Sequence, residues 1–133
     1  MNIIETRMKI ESWDEKPFRE FADGSKVTRA AVELGGSDDG LRSGSMDALM
    51  YYRPDGTTAF VAIMRLDGDF GGRSGEVVLQ GSGTFDGTTA SSESVVLAGS
   101  TTGDLGGMTG TAESVSTHAD YPFMPLTLRY DFE

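Results

Sequence analysis

One histidine, His118, is the side chain in this sequence best suited to acid–base chemistry. It lies in the segment STHADYP, just before the last predicted strand, and an imidazole that titrates near neutrality could act as a general base. A histidine with a carboxylate could also bind a metal ion, but the chain has no second histidine and no cysteine to complete a transition-metal site. We therefore expect no metal and no cofactor. The alternative for His118 is a turn or surface residue.

Three large aromatic side chains, Trp13, Tyr52 and Tyr130, combine an apolar ring with a polar tip. At the mouth of a pocket such a ring packs against a ligand, while the indole or hydroxyl group orients it. The alternative is structural, because the interior of an eight-stranded barrel is often filled by its own side chains. Under that alternative, Trp13 and Tyr130 plug the barrel.

Two charged residues in predicted strands, Arg65 and Glu113, are further candidates for ligand binding. If both faced the interior, they would form a buried ion pair or a clamp for a polar group. An unpaired buried charge costs several kcal/mol, so an inward position requires a partner. The alternative is that each side chain is exposed, as charged residues usually are. Glycines in these strands permit bulges, so the sequence leaves their orientation open.

A glycine-rich segment occurs twice, as GDFGGRSG at 68–75 and as GDLGGMTG at 103–110. A glycine cradle for phosphate is followed by a helix whose amino end faces the anion. Both copies lie between predicted strands, and no helix follows either one. We therefore predict that the repeat forms two turns of the chain and binds no nucleotide.

Five Asp-Gly pairs mark regular turns along the chain, and both residues tolerate the positive φ of tight hairpins. The runs between the turns are rich in β-branched and aromatic residues. The predicted strands cover residues 3–13, 26–35, 41–53, 58–67, 73–85, 89–99, 108–118 and 125–132. No window has the apolar stripe of a core helix, and 14–24 is predicted to form one helical turn at most.

Eight strands with short connections predict an all-β domain over residues 1–133. Closure of the sheet would remove its exposed edges, so we predict an eight-stranded antiparallel up-and-down β-barrel with the first and last strands paired. The competing architecture is a two-sheet sandwich.

Composition excludes several classes of partner. Eleven basic and twenty-one acidic residues give a net charge of −10, which repels nucleic acid and anionic membranes. The charged N-terminal segment does not resemble a signal peptide, and no apolar run is long enough for a membrane helix. The absence of cysteine fits a reducing compartment, so we expect a soluble cytoplasmic protein.

The third to sixth predicted strands are apolar on both faces, as in the runs 49–52, 60–64, 77–79 and 95–97. A wall that faces solvent should alternate between apolar and polar residues. We therefore expect a homo-oligomer that buries the outer face of strands 3–6. The alternative is local cover by the segment 14–24.

Several segments along the whole chain resemble an uncharacterised bacterial family known as domain of unknown function 3224. They are SWDEKP (12–17), KVTRA (26–30), YRPDG (52–56), GGRSGEVVLQGSGTFDG (71–87), TGDLGGMTG (102–110) and LRYDFE (128–133). The resemblance implies a barrel similar to those of allene oxide cyclases and dirigent proteins, which hold apolar ligands and assemble into oligomers. It identifies no catalytic residue in this sequence.

These observations favour a protein that binds a small apolar molecule in the lumen of the barrel. An alternative is an isomerase or cyclase that holds a reactive substrate in one conformation. A further alternative is a structural or interaction protein with a filled barrel. An ionisable group in the lumen with a displaced pKa would favour an enzyme, and an entirely apolar lumen would favour a carrier.

Overall fold

A computed structural model describes residues 1–37 and 39–133 and shows an all-β protein. The strands are β1 (Asn2–Glu20), β2 (Lys26–Gly35), β3 (Leu41–Tyr52), β4 (Thr58–Phe70), β5 (Arg73–Phe85), β6 (Thr89–Val96), β7 (Met108–Thr117) and β8 (Phe123–Phe132). Each strand pairs with the next in antiparallel orientation, and residues 2–9 of β1 pair with residues 123–130 of β8. The eight strands therefore form a closed ring. The prediction of eight antiparallel strands with the first and last paired is confirmed, and the alternative of two separate sheets is wrong.

The strand β1 is longer than predicted, and it changes partner along its length. It pairs with β8 up to Lys9 and with β2 from Ile10 to Glu20, with register shifts between Ile10 and Ser12 and between Pro17 and Arg19. The helical turn that the sequence allowed at most for 14–24 does not form, because residues 14–20 continue β1 along the edge of β2. Local cover of the outer wall by this segment is also wrong, since the segment extends the sheet and does not lie across it.

The two glycine-rich segments form corners of the ring, as predicted. In the first, Phe70 pairs with Arg73 across Gly71 and Gly72, whose φ angles are 61° and 85°. Positive φ at both central residues is the requirement of the tight hairpin turn that matches the twist of the flanking strands. The second copy lies in the longer connection between β6 and β7, and it packs against the first copy.

The close packing of the two corners explains glycines that the turns alone do not require. The backbone of Asp104 donates to the carbonyl of Ser74 at 2.8 Å. A side chain on Gly103 would overlap that same carbonyl, and one on Gly75 would overlap the carbonyl of Thr102. Each corner also places one apolar side chain, Phe70 or Leu105, in the interior at 0% exposure.

The corners fill one end of the ring, which we call the filled end. Its side chains are Leu41, Leu66, Phe70, Val77, Leu105, Met108 and Tyr130. The rings of Phe70 and Tyr130 meet edge to face with centroids 5.9 Å apart. These buried apolar side chains form the main core of the protein, and a cavity lies toward the opposite end of the ring.

Candidate functional site

The opposite end of the ring, which we call the open end, contains a cavity of about 420 Å³. Its lining includes aromatic and methionine side chains from β1, β3, β4 and β5 and hydroxyl side chains from β6 and β7. These are Trp13, Met46, Met50, Tyr52, Phe60 and Phe85 on the apolar side and Ser92, Ser114, Ser116 and Thr117 on the other. The volume lies in the range of about 300–1,000 Å³ that is typical of small-molecule pockets.

A rung of small side chains accounts for the space inside the ring. In register around six strands, the inward positions are Ala30, Ala48, Ala62, Gly81, Ser94 and Ala112. Small residues at one level of an eight-stranded ring leave interior volume that larger side chains would fill. One glycine nearby also accommodates an aromatic ring, because a side chain on Gly83 would overlap Phe60.

A carboxylate, Glu15, is the centre of the polar contacts at the open end. Its Oε2 accepts hydrogen bonds from the hydroxyl of Tyr52 at 2.5 Å and from Oγ1 of Thr28 at 2.6 Å. Its Oε1 accepts one from the indole Nε1 of Trp13 at 2.9 Å. Three donors from three strands therefore fix one carboxylate and the two aromatic rings that line the cavity.

A bulge in β1 is the reason that Glu15 faces the interior. Before the bulge the even-numbered residues point inward, as shown by the fully buried Met8. After the register shift between Ile10 and Ser12, Trp13 pairs with Val32 and Glu15 pairs with the buried Ala30. A one-residue bulge reverses the face on which every later side chain lies.

The electrostatics of this group keep Glu15 ionised. Burial raises its pKa, but the hydrogen bonds from Thr28, Tyr52 and Trp13 and the charge of Lys26 outweigh burial and hold the pKa below 4.5. Burial, followed by the hydrogen bond to Glu15 and its charge, raises the pKa of Tyr52 to about 12. The ammonium of Lys26 lies 5.1 Å from the centroid of the Tyr52 ring, so a cation accompanies the anion.

Thr58 is a polar residue in the cavity wall, on the β4 side. It is the first residue of β4, it pairs with Tyr52 on one side and Phe85 on the other, and it is 1% exposed. Its Oγ1 has no hydrogen-bond partner among the residues that the structure describes. A buried hydroxyl without a partner is uncommon in folded proteins.

The structure brings three of the predicted site residues, Trp13, Tyr52 and His118, to the same cavity. The imidazole of His118 lies at the rim, where its ring meets Phe85 edge to face with centroids 6.1 Å apart. The side chain is exposed and belongs to the turn between β7 and β8. His118 is therefore a turn residue, as the alternative predicted, and it also lines the cavity.

The other three predicted residues lie away from the cavity. Tyr130 is in the filled end, so it is a plug, and burial raises its pKa. Arg65 and Glu113 point outward, because the inward positions of β4 and β7 are even-numbered. Arg65 lies 3.7 Å from Glu76, and Arg129 donates to Glu113 at 2.9 Å. The hypothesis of an inward-facing pair or clamp is therefore wrong.

Three residues that complete the site were not among the predicted ones: Glu15, Thr28 and Thr58. Glu15 lies in a charged run that reads as solvent-exposed, and the bulge that turns it inward has no clear signature in the sequence. The two threonines alternate with apolar neighbours as in any strand. No signal in the sequence therefore distinguishes Thr28 and Thr58 from other strand residues.

The outer wall of the ring carries exposed apolar side chains, as the sequence predicts. They are Leu49, Tyr51, Val61, Ile63, Val95 and Val115. Val61 at the centre of this wall is 57% exposed. A concave region of about 1150 Å³ extends from this wall toward β1, where it is bordered by Lys16, Arg29 and Asp47.

Residues 1–37 and 39–133 contain no group of three acidic, histidine or cysteine residues that could hold a metal ion. The same residues contain no helix with the length and apolar character needed to cross a bilayer.

Comparison with known proteins gives the family. A search of the curated proteins finds no match. A crystal structure of a protein with unknown function from the DUF3224 family of Shewanella oneidensis MR-1 superposes with a TM-score of 0.70 and 22% identity, over 99% of each chain. At that identity the likeness shows the fold alone. The family model "Protein of unknown function (DUF3224)" matches residues 4–130. The chain therefore belongs to the DUF3224 family of proteins of unknown function.

Proposed function

We propose that this protein binds a small, largely apolar molecule inside its eight-stranded barrel, at the open end. The observation that carries the proposal is the cavity of about 420 Å³, lined by aromatic and methionine side chains and bordered by a few fixed polar groups. This combination of an apolar body and a small number of oriented polar contacts is characteristic of ligand pockets. A likeness to the ligand-holding barrels of allene oxide cyclases and dirigent proteins remains a prediction.

The hydrogen bonds around Glu15 support binding in preference to proton transfer. A general base works best with a pKa near the working pH, whereas Glu15 has a pKa below its ordinary value and Tyr52 one of about 12. Near neutrality neither group exchanges protons readily. We infer that the pair positions Trp13 and Tyr52 for binding, and that an isomerase or cyclase role is the weaker alternative.

Native mass spectrometry of the gently purified protein tests the proposal, because it detects a retained molecule directly. Ala48 faces the cavity, so Ala48→Phe should fill space and abolish the bound mass. Ala98 is exposed in the connection after β6, and Ala98→Phe is the matched control that should retain it. Circular dichroism melts establish that both variants fold. Equal retention by the two variants would contradict the proposal.

We also propose that the outer wall binds a second copy of the chain. The exposed side chains of Leu49, Val61 and Ile63 form an apolar area that a soluble monomer rarely presents. The border on the β1–β2 side is mixed, with Lys16 and Arg29 beside Asp14 and Asp47. On the β6–β7 side lie Glu93 and Glu113. A two-fold axis through the wall would place the two basic residues of one copy near the two glutamates of the other.

Sedimentation velocity at micromolar concentration tests this contact. The protein should sediment as an oligomer, and Val61→Asp should convert it to a monomer without loss of the fold. Ala98→Asp introduces the same charge away from the wall and should leave the oligomer intact. A monomer for the unmodified chain would overturn the proposal.

A further inference from the structure

The unpaired hydroxyl of Thr58 indicates what kind of molecule the cavity accepts. This side chain is 1% exposed, lines the cavity, and has no hydrogen-bond partner for its Oγ1 among residues 1–37 and 39–133. Valine has the same shape, and it would fill the position without a buried polar atom. A hydroxyl here therefore adds nothing to the packing of the ligand-free protein.

Thr58 lies on the inward face of β4 and lines the cavity, and in the ligand-free protein its Oγ1 exposes almost no surface. A bound molecule reaches this hydroxyl only by displacing the side chains that pack over it. The neighbours of Thr58 across the sheet are Tyr52 on β3 and Phe85 on β5, and Phe60 follows on the same face of β4. The hydroxyl of Tyr52 is already donated to Glu15. The rings of Phe60 and Phe85 offer no conventional donor or acceptor, so an oxygen or nitrogen on a bound molecule would be the complement to Oγ1.

The charge of the site limits which polar group of a bound molecule can pair with the hydroxyl of Thr58. Glu15 accepts a hydrogen bond from the hydroxyl of Tyr52, which pairs with Thr58 across β3 and β4. The whole chain has a net charge of −10. A carboxylate placed near Thr58 would be repelled by Glu15. The ammonium of Lys26 over the Tyr52 ring offsets only part of that repulsion, because it is exposed and screened by solvent. A hydroxyl or carbonyl group meets no such repulsion, and a threonine hydroxyl can donate to one and accept from the other.

We propose that the cavity selects neutral molecules that carry one hydroxyl or carbonyl oxygen on an apolar body, with Thr58 as the residue that recognises this oxygen. The inference rests on the proposed function, since it names the ligand class of the same cavity. Thr58 is then a specificity-determining residue, and Glu15 excludes the corresponding acids.

Isothermal titration calorimetry with three compounds that share one ring system tests the role of Thr58 separately from that of Glu15. Naphthalene, 2-naphthol and 2-naphthoate share an apolar body and differ only in the polar group. The unmodified protein should bind 2-naphthol about tenfold more tightly than naphthalene, the effect of one hydrogen bond, and should bind 2-naphthoate most weakly. In Thr58→Val, naphthalene and 2-naphthol should bind equally.

A thermal melt of the ligand-free variants adds a readout independent of binding. Thr58→Val removes an unpaired buried hydroxyl, so it should raise the melting temperature by about 3 °C. Thr84 faces outward on β5, and Thr84→Val is the matched control that should leave both the melt and the preference for 2-naphthol unchanged.

The outcomes distinguish the two levels of proposal. Binding of naphthalene and 2-naphthol with equal affinity to the unmodified protein would overturn the role of Thr58 and leave the proposed function intact. A lower melting temperature for Thr58→Val would also overturn it, because the hydroxyl would then be structural. Tight binding of 2-naphthoate would overturn the exclusion of acids. Failure of all three probes to bind would overturn the proposed function together with this inference.

Discussion

The two ends of the ring use the same strands and the same alternation of side chains, but they differ in how completely those side chains fill the interior. At the filled end, two glycine corners place Phe70 and Leu105 in the interior without exposed surface. At the open end, a rung of alanines and a glycine leaves a cavity, and polar groups are held by hydrogen bonds around Glu15. The difference indicates that packing at the filled end contributes most to stability, whereas the open end retains the cavity in which we propose that a ligand binds.

The comparison predicts the largest loss of stability at the filled end. Phe70→Ala should lower the free energy of unfolding by about 3–5 kcal/mol, because it removes a fully buried ring and leaves a void in dense packing. Phe85→Ala at the half-buried wall of the open end should lower it by about 1 kcal/mol. Urea unfolding measures both. Equal losses would show that the two ends are packed alike and would contradict the greater contribution of the filled end to stability.

A smaller loss is expected when the hydrogen bonds around Glu15 are weakened. Glu15→Gln keeps the size of the side chain but replaces charge-assisted bonds to Thr28 and Tyr52 by neutral ones. We expect a decrease of about 2 kcal/mol in the free energy of unfolding, moderated by the partial exposure of the site. Glu93→Gln on the outer face is the control and should have little effect. A loss no larger than that of the control would show that the group contributes nothing to order at the open end.

The contribution of Glu15 to the free energy of unfolding should depend on pH. The folded pKa of Glu15 lies below 4.5, so its stabilisation is fully present above the unfolded value and is lost as the pH falls through the folded value. The difference in unfolding free energy between the unmodified protein and Glu15→Gln should be constant above about pH 6 and should shrink below pH 4.5. Denaturation series at several pH values measure it. A difference that persists at the lowest pH would assign the loss to packing.

The smallest effect is expected on the outer face. Glu113→Gln breaks a surface ion pair with Arg129, and exposed pairs contribute about 0–1 kcal/mol. Neither the cavity nor its binding of 2-naphthol should change, because the side chain points away from the interior. Calorimetry and a thermal melt test both statements. A change in affinity would indicate that the outer face is coupled to the open end, which the outward orientation of Glu113 does not predict.

Much of the fold could be predicted from the sequence because its signals are local. The regular Asp-Gly pairs and the alternating runs locate β2 and β5 at their observed bounds, and the glycine repeat correctly predicts two corners. The identity of the first and last strands as partners followed from the need to remove exposed edges. These inferences depend on turn chemistry and on period-two patterns, both of which are present in short windows.

The candidate site could be predicted only in part, because its decisive features are not local. Trp13, Tyr52 and His118 are conspicuous residue types, and the structure places all three at the cavity, while their role in binding stays a prediction. The inward position of Glu15 depends on a single extra residue near Ser12, and no composition signal distinguishes that bulge from a regular strand. The isolation of the Thr58 hydroxyl depends on residues from β3 and β5, which come together only after the ring closes.

Trp13 has one more consequence, since it is the only tryptophan in the chain. Its indole is 43% exposed, is tethered to Glu15, and forms part of the cavity wall. Excitation at the red edge of protein absorbance therefore yields emission from one position alone, at the entrance to the pocket. Any compound that enters should displace solvent from that indole and shift its emission. The fluorescence of Trp13 can therefore report binding directly, so unlabelled metabolites can be screened against the unmodified protein without an added dye.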